Sequence, residues 1–188
     1  FDLLLYPYIA PSCSLSGGGS REFGASIVVA LSWSVVKNTN PITSIIVDGN
    51  PQLPTGNSQV GVAAANAVQN VNTTFNMSTS DGTTTPGANT TVTWLNKRYW
   101  GRHSSFTLPN NAQILALDGA GVGTGNELST SRVQTRNGID GASQYLSFAW
   151  PTTFGNPSFV INGLPNTAWT KIGNAVSFVN ANGYTASY

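Results

Sequence analysis

Apolar and polar positions alternate with a period of two along much of the first hundred residues. In SIVVALSWSVV (26–36), Val29, Leu31, Trp33 and Val35 share one parity while Ser32 and Ser34 hold the other. That is the pattern of a half-buried strand. ITSIIVDGN (42–50) alternates again and closes on Asp48-Gly49, a strong two-residue hairpin signal. Residues 60–82 give two strands, the second with Val71, Thr73, Phe75 and Met77 on one parity, and Asp81-Gly82 marks the next turn. NTTVTWLN (89–96) ends this half with Val92 and Trp94 on one face. Roughly six or seven short strands, with turns every 8–12 residues or so, predict an Ig-like sandwich with Trp33 as its buried aromatic.

After Gly101 the pattern restarts. SSFTL (104–108) reads as a strand. Pro109-Asn110-Asn111 can start and cap a helix, Ile114, Leu115 and Leu117 supply its apolar side, and Gly119 can stop it. One short helix is therefore expected near 109–118. DGAGVGTGN (118–126) reads as a loop. TSRVQTRNG, QYLSFAWP, SFVING, TAWTKIG and AVSFVNANGYTASY then suggest five more strands. The expected fold is all-β with two consecutive β-sandwich domains. Residues 1–96 form an N-terminal segment and the Ig-like sandwich, 97–103 a connector, and 104–188 a second sandwich.

Composition narrows the chemistry. Charged residues make up 8% of the chain and formal net charge is +1, against about 25% charged in average domains. Such a surface cannot present the clustered cations that hold a phosphate backbone, so no nucleic acid partner is expected. No apolar run nears the roughly 18 residues that span a bilayer, and no membrane insertion is expected. Cys13 is the sole cysteine and His103 the sole histidine. Neither a disulfide framework nor a thiol or histidine metal site is expected, and no cofactor. The chain opens on Phe rather than Met and is expected to be a processed product or a piece of a longer polypeptide.

The glycines at 119, 121, 123 and 125 miss the G-x-G-x-x-G spacing because Thr124 stands at the decisive position. Glycoside hydrolysis needs two facing carboxylates, but Asp48 and Asp81 sit in Asp-Gly turns and Asp118 precedes a glycine loop. Glu22, in REFG, is expected to pair with an arginine. Catalytic residues are therefore expected to be none. Among aromatics that could stack on sugar faces, Trp150 is expected in the core, while Trp169 and Tyr184 are candidate glycan contacts. The densest cluster of bases lies in NKRYWGRHSSF (96–106). Lys97, Arg98, Tyr99, Trp100 and Gly101 are read as the inter-domain connector, with Tyr99 and Trp100 wedged between the two domains.

Several of these stretches together resemble a recurrent module of tailed-bacteriophage tail, baseplate and fibre proteins. They are REFGASIVVALSWSVVKNTNPITSIIVDG, DGTTTPGANTTVTWLNKRYWG, YLSFAWPTTFGNPSFVINGLPNTAWTKI and VNANGYTASY. The resemblance covers the chain from about residue 11 onward. It implies a non-enzymatic structural or adhesive virion component with other virion proteins as partners, a homo-oligomeric state, and a host-surface glycan as a further candidate partner. The alternative is a carbohydrate-binding module that reads host glycans through exposed aromatics. Members of that family continue past the Gly-Tyr hairpin. The second sandwich is accordingly expected to lack its last strand or to have its open edge covered by a neighbouring subunit.

Overall fold

The computed structural model describes residues 6–53, 56–103, 107–121, 125–128, 131–137, 145–161, 164–165 and 175–188. The chain divides into two compact units, residues 1–21 with 25–94, and residues 22–24 with 95–188. It is all-β apart from one short helix and two 3-10 turns among the described residues.

The first unit is built from β1 (Ser12–Ser16), β2 (Gly19–Glu22), β3 (Val28–Val36), β4 (Ser44–Val47), β5 (Asn50–Gln52), β6 (Gln59–Asn66), β7 (Thr73–Ser80) and β8 (Gly87–Leu95), the last residues of β2 and β8, Glu22 and Leu95, falling in the second unit. They form two sheets, ordered β1-β3-β6 and β2-β8-β7-β4-β5. β1 and β2 lie two residues apart in sequence yet join different sheets. This division of the first strand, with β3 and β6 together and β4, β7 and β8 together, is the strand order of an Ig-like sandwich. Period two decides which side chains meet between the sheets. Val29, Leu31, Trp33 and Val35 of β3 are buried, as are Ile45 and Val47, Phe75 and Met77, and Val92 and Trp94. Trp33 is the buried aromatic that the sequence predicts, and Gly61 stands opposite it on β6. A Cβ at Gly61 would come within 2.3 Å of the Trp33 ring, so the indole fills the space that a side chain there would need. Asp48 and Gly49 both have positive φ (49° and 75°) and join β4 to β5 as a two-residue hairpin turn.

The outer face of the β1-β3-β6 sheet differs from most protein surfaces. It presents Ser12, Ser14 and Ser16, then Val28, Ala30, Ser32, Ser34 and Val36, then Val60, Val62, Ala64 and Asn66. None of these is charged. β6 is an edge strand.

In the second unit β9 (Lys97–His103) is the middle strand of an antiparallel sheet, flanked by β10 (Asn126–Leu128) and β11 (Tyr145–Ala149). Two hairpins follow, β12 (Val160–Ile161) with β13 (Leu164–Pro165), and β14 (Ser177–Val179) with β15 (Thr185–Ser187). Helix α1 (Asn111–Leu115) falls where it was expected. The Asn110 side chain accepts from the Gln113 backbone at 3.0 Å, and Gln113 Oε1 accepts from the Asn110 N–H at 2.9 Å. This capping box sets the helix start. Tyr99, Ile114, Leu117 and Phe178 form the buried cluster of this unit.

Three expectations for this half change. The connector stretch 97–103 is a sheet strand rather than a link, because its backbone pairs on both sides. Residues 131–137, expected as a strand, form no ladder. There Arg132, Gln134 and Arg136 bond through their side chains instead. Thr107 and Leu108 lie in no strand, while the rest of SSFTL and all of TAWTKIG lie outside the described residues.

Candidate functional site

Alternation along β9 sends its side chains to two faces of unlike chemistry. On the core face, the Tyr99 ring lies 5.1 Å from Phe178 and 6.2 Å from Tyr188. Its hydroxyl donates to Glu22 Oε1 at 3.0 Å. The buried Glu22 also accepts from Asn182 Nδ2 at 2.8 Å and lies 3.6 Å from Lys97 Nζ. The expected arginine partner is thus a lysine, joined by a phenol and an amide. Burial first, and then the adjacent Glu22 carboxylate, push the Tyr99 hydroxyl far above the usual tyrosine pKa. Tyr188, which donates to the Lys97 carbonyl at 2.9 Å, is raised by the same two causes.

Gly101 lets β9 pass close to the loop after α1. Its φ is 153°, and a Cβ there would come within 2.6 Å of the Asp118 nitrogen. That close passage lets Asp118 accept from Arg102 Nε at 2.7 Å, from the Arg102 N–H at 3.0 Å and from the Ala120 N–H at 2.9 Å. These donors, the Arg102 side chain foremost, hold the Asp118 carboxyl well below the usual carboxylate range.

The opposite face carries Arg98 and Trp100. Strand register sets Glu127 beside Arg98 and Phe148 beside Trp100. Trp100 is only 1% exposed. Its ring stacks on Phe148 (6.4 Å, 14°), and the Arg136 guanidinium lies 5.0 Å from its centroid, a cation–π distance. Glu127 takes Arg136 on one oxygen. Its other oxygen accepts from Gln134 Nε2 at 2.9 Å and lies 3.4 Å from Arg98 Nη2. Arg98 also donates to the Ser131 carbonyl at 2.9 Å. These groups border a groove of about 800 Å³ lined by Arg98, Arg132, Arg136, Phe148, Trp150 and Phe159, among others. Phe159 packs on Phe148 at 5.0 Å and edge-on to Trp150 at 6.1 Å. The Trp150 indole donates to the Gly155 carbonyl at 3.0 Å, and Arg132 donates to the Thr153 carbonyl at 3.4 Å. Guanidinium donors and flat apolar rings thus meet in one open groove within the second unit.

No family model, curated protein or solved structure matches this chain. The likeness to phage tail modules rests on the motifs alone.

The expected site residues separate. Lys97 and Tyr99 support the buried Glu22, Arg98 and Trp100 belong to the groove side, and Gly101 is the close-approach position against Asp118. Tyr184 is half-buried, with its ring stacked on Phe23 (4.9 Å, 18°), and Trp169 lies outside the described residues. Trp150, expected in the core, is half-buried and lines the groove. Arg132, Arg136, Glu127, Phe148 and Phe159 were not singled out from the sequence. The one available signal is that Arg98, Arg132 and Arg136 are three of only eight Lys and Arg residues.

Proposed function

We propose that this chain is a non-enzymatic structural and adhesive module that works in a permanent multi-subunit assembly, of the kind a bacteriophage tail fibre or baseplate represents. The observation that carries this reading is the uncharged outer face of the β1-β3-β6 sheet, together with the edge strand β6. Val60, Val62 and Val28 on that face are 79%, 69% and 60% exposed. Natural edge strands are commonly blunted with lysine, proline or a bulge, yet β6 reads QVGVAAAN. A surface of Val, Ala and Ser has no like charges to oppose in a second copy of itself, so the proposed occupant is another subunit of this chain. Obligate interfaces of this sort resemble a core cut in half. The motif resemblance to phage tail modules supports placing the assembly in a virion.

The acids also favour a non-catalytic reading. Glu22, Asp118 and Glu127 are engaged as described above. Asp48 forms the β4–β5 turn, and Asp81 accepts from the N–H groups of Thr83 and Thr84 at 2.9 Å each and from Tyr8 at 2.8 Å. Four of these five carboxylates are held by hydrogen bonds or ion pairs, and Asp48 acts through its backbone in the turn.

Light scattering coupled to size exclusion tests the assembly, with Val62→Lys as the probe because its side chain points to solvent. The native chain is expected to elute as an oligomer. The variant should elute as a monomer with an unchanged melting temperature. A native monomer at every concentration, or an oligomer indifferent to Val62→Lys, would overturn the reading.

A further inference from the structure

The groove of the second unit carries a charge imbalance that self-assembly through the first unit leaves unused. Arg98 and Arg136 share the single carboxylate of Glu127. Among the described residues, Arg132 bonds a carbonyl alone, at 3.4 Å. Among the described residues no second acid pairs with any of the three. The shared triad is partly withdrawn from water, with Arg98 13%, Arg136 25% and Glu127 27% exposed at the side chain. A half-buried cationic surplus is costly unless an anion completes it. The planar guanidinium fork matches a carboxylate with two parallel hydrogen bonds. Stacking on Trp100 holds Arg136 in place, so its orientation is fixed before any ligand arrives.

The rest of the lining narrows the anion. Phe148, Trp150 and Phe159 bring apolar ring surface into the groove, while Asn137, Asn156 and Ser158 line it with neutral donors and acceptors. Such a mixture of apolar walls and a few polar groups is what small-ligand sites use for orientation. An inorganic anion would leave the rings unused. A nucleic acid strand would require more cations along one track than this chain holds. We infer that the groove binds a carboxylate-bearing sugar, a sialic or uronic acid unit of an acidic glycan. Its carboxylate meets the Arg132–Arg136 side, its ring packs on Trp150 and Phe159, and its hydroxyls bond the amides.

This inference goes beyond the assembly reading and rests on the second unit alone. A Val62→Lys chain that no longer self-associates should keep the same affinity per chain. The test is titration calorimetry of the full chain with sialyllactose and a galacturonate trimer, set against lactose, polyglutamate and inorganic phosphate. Saturable binding of at least one acidic sugar is expected, at least tenfold tighter than lactose, polyglutamate or phosphate. Arg132→Ala, at an exposed position, should weaken it fivefold or more without moving the melting temperature. Phe159→Ala should weaken acidic and neutral sugars alike. The inference is overturned if neither acidic sugar binds, if lactose binds as well, or if Arg132→Ala changes nothing. It is equally overturned if phosphate or polyglutamate binds as tightly, which would make the groove a general anion or acidic-peptide site.

Discussion

The Tyr99 hydroxyl donates a buried hydrogen bond to Glu22 Oε1 across 3.0 Å, joining residues 77 positions apart. A buried carboxylate is tolerated only when its lone pairs are satisfied, and here a phenol, an amide and a nearby ammonium share that task. Tyr99→Phe keeps the ring against Phe178 and Tyr188 and removes one donor. It is expected to lower the unfolding free energy by about 1–3 kcal/mol. A urea titration of Tyr99→Phe, Asn182→Ala and the double variant should give non-additive losses, because both donors serve one acceptor group. Losses that simply add would show that the two bonds act independently.

The same network sets the alkaline limit of stability. The folded pKa of Tyr99 and of Tyr188 is raised, so above the ordinary tyrosine value of about 10 the folded state holds protons that the unfolded chain has released. This contribution is fully present below about pH 10 and is lost as pH climbs past it. Asp118 works in the opposite direction. Its folded pKa is depressed, so its contribution is present above the ordinary carboxylate range and is lost as pH falls below about 4. Unfolding free energy measured against pH should therefore drop on both sides. Tyr99→Phe should flatten the alkaline limb and Arg102→Ala the acid limb. If each variant leaves its own limb unchanged, the assignment fails.

Gly61 and Trp33 form a glycine–indole pair within the first unit. Gly61→Ala drives a Cβ into the Trp33 ring, an overpacking change expected to cost about 1–3 kcal/mol. Replacing Trp33 by Leu in the same chain makes room for the methyl group. Gly61→Ala should then cost less in the Trp33→Leu background than in the native one. Equal costs in both backgrounds would separate the two residues.

What was legible in the sequence follows from which forces are local. β3 was readable because its buried and exposed positions alternate without interruption. α1 was readable because Asn110 and Gln113 satisfy each other within one turn. The Asp48-Gly49 turn was readable because two successive positive φ angles select those residues. The groove was not. Its arginines come from β9 and from an irregular segment, its carboxylate from β10, and its rings from β11 and the residues after it. No period or short motif joins these positions. NKRYWGRHSSF reads as a joint because it stands where the first run of strands ends and the second begins. Strand pairing on both edges instead splits its doublets, Lys97-Arg98 and Tyr99-Trp100, between two faces, one for a buried glutamate and one for the groove.

Trp100 is where the groove depends most on packing. Its ring meets both Phe148 and the Arg136 guanidinium and is almost wholly buried. Trp100→Ala removes a large buried side chain and is expected to cost about 3–5 kcal/mol, enough to unfold the second unit in a marginal background. Trp100→Phe is the informative variant, because it keeps an aromatic face for both neighbours while losing part of the volume. It should be destabilised by less than half as much as Trp100→Ala in a denaturant titration. Arg136→Ala should cost more in the native background than in a Trp100→Leu background, by about 0.5–2 kcal/mol, the range of a cation–π contact. If Arg136→Ala costs the same in both backgrounds, the guanidinium is held by Glu127 alone and the ring beneath it contributes nothing to its placement.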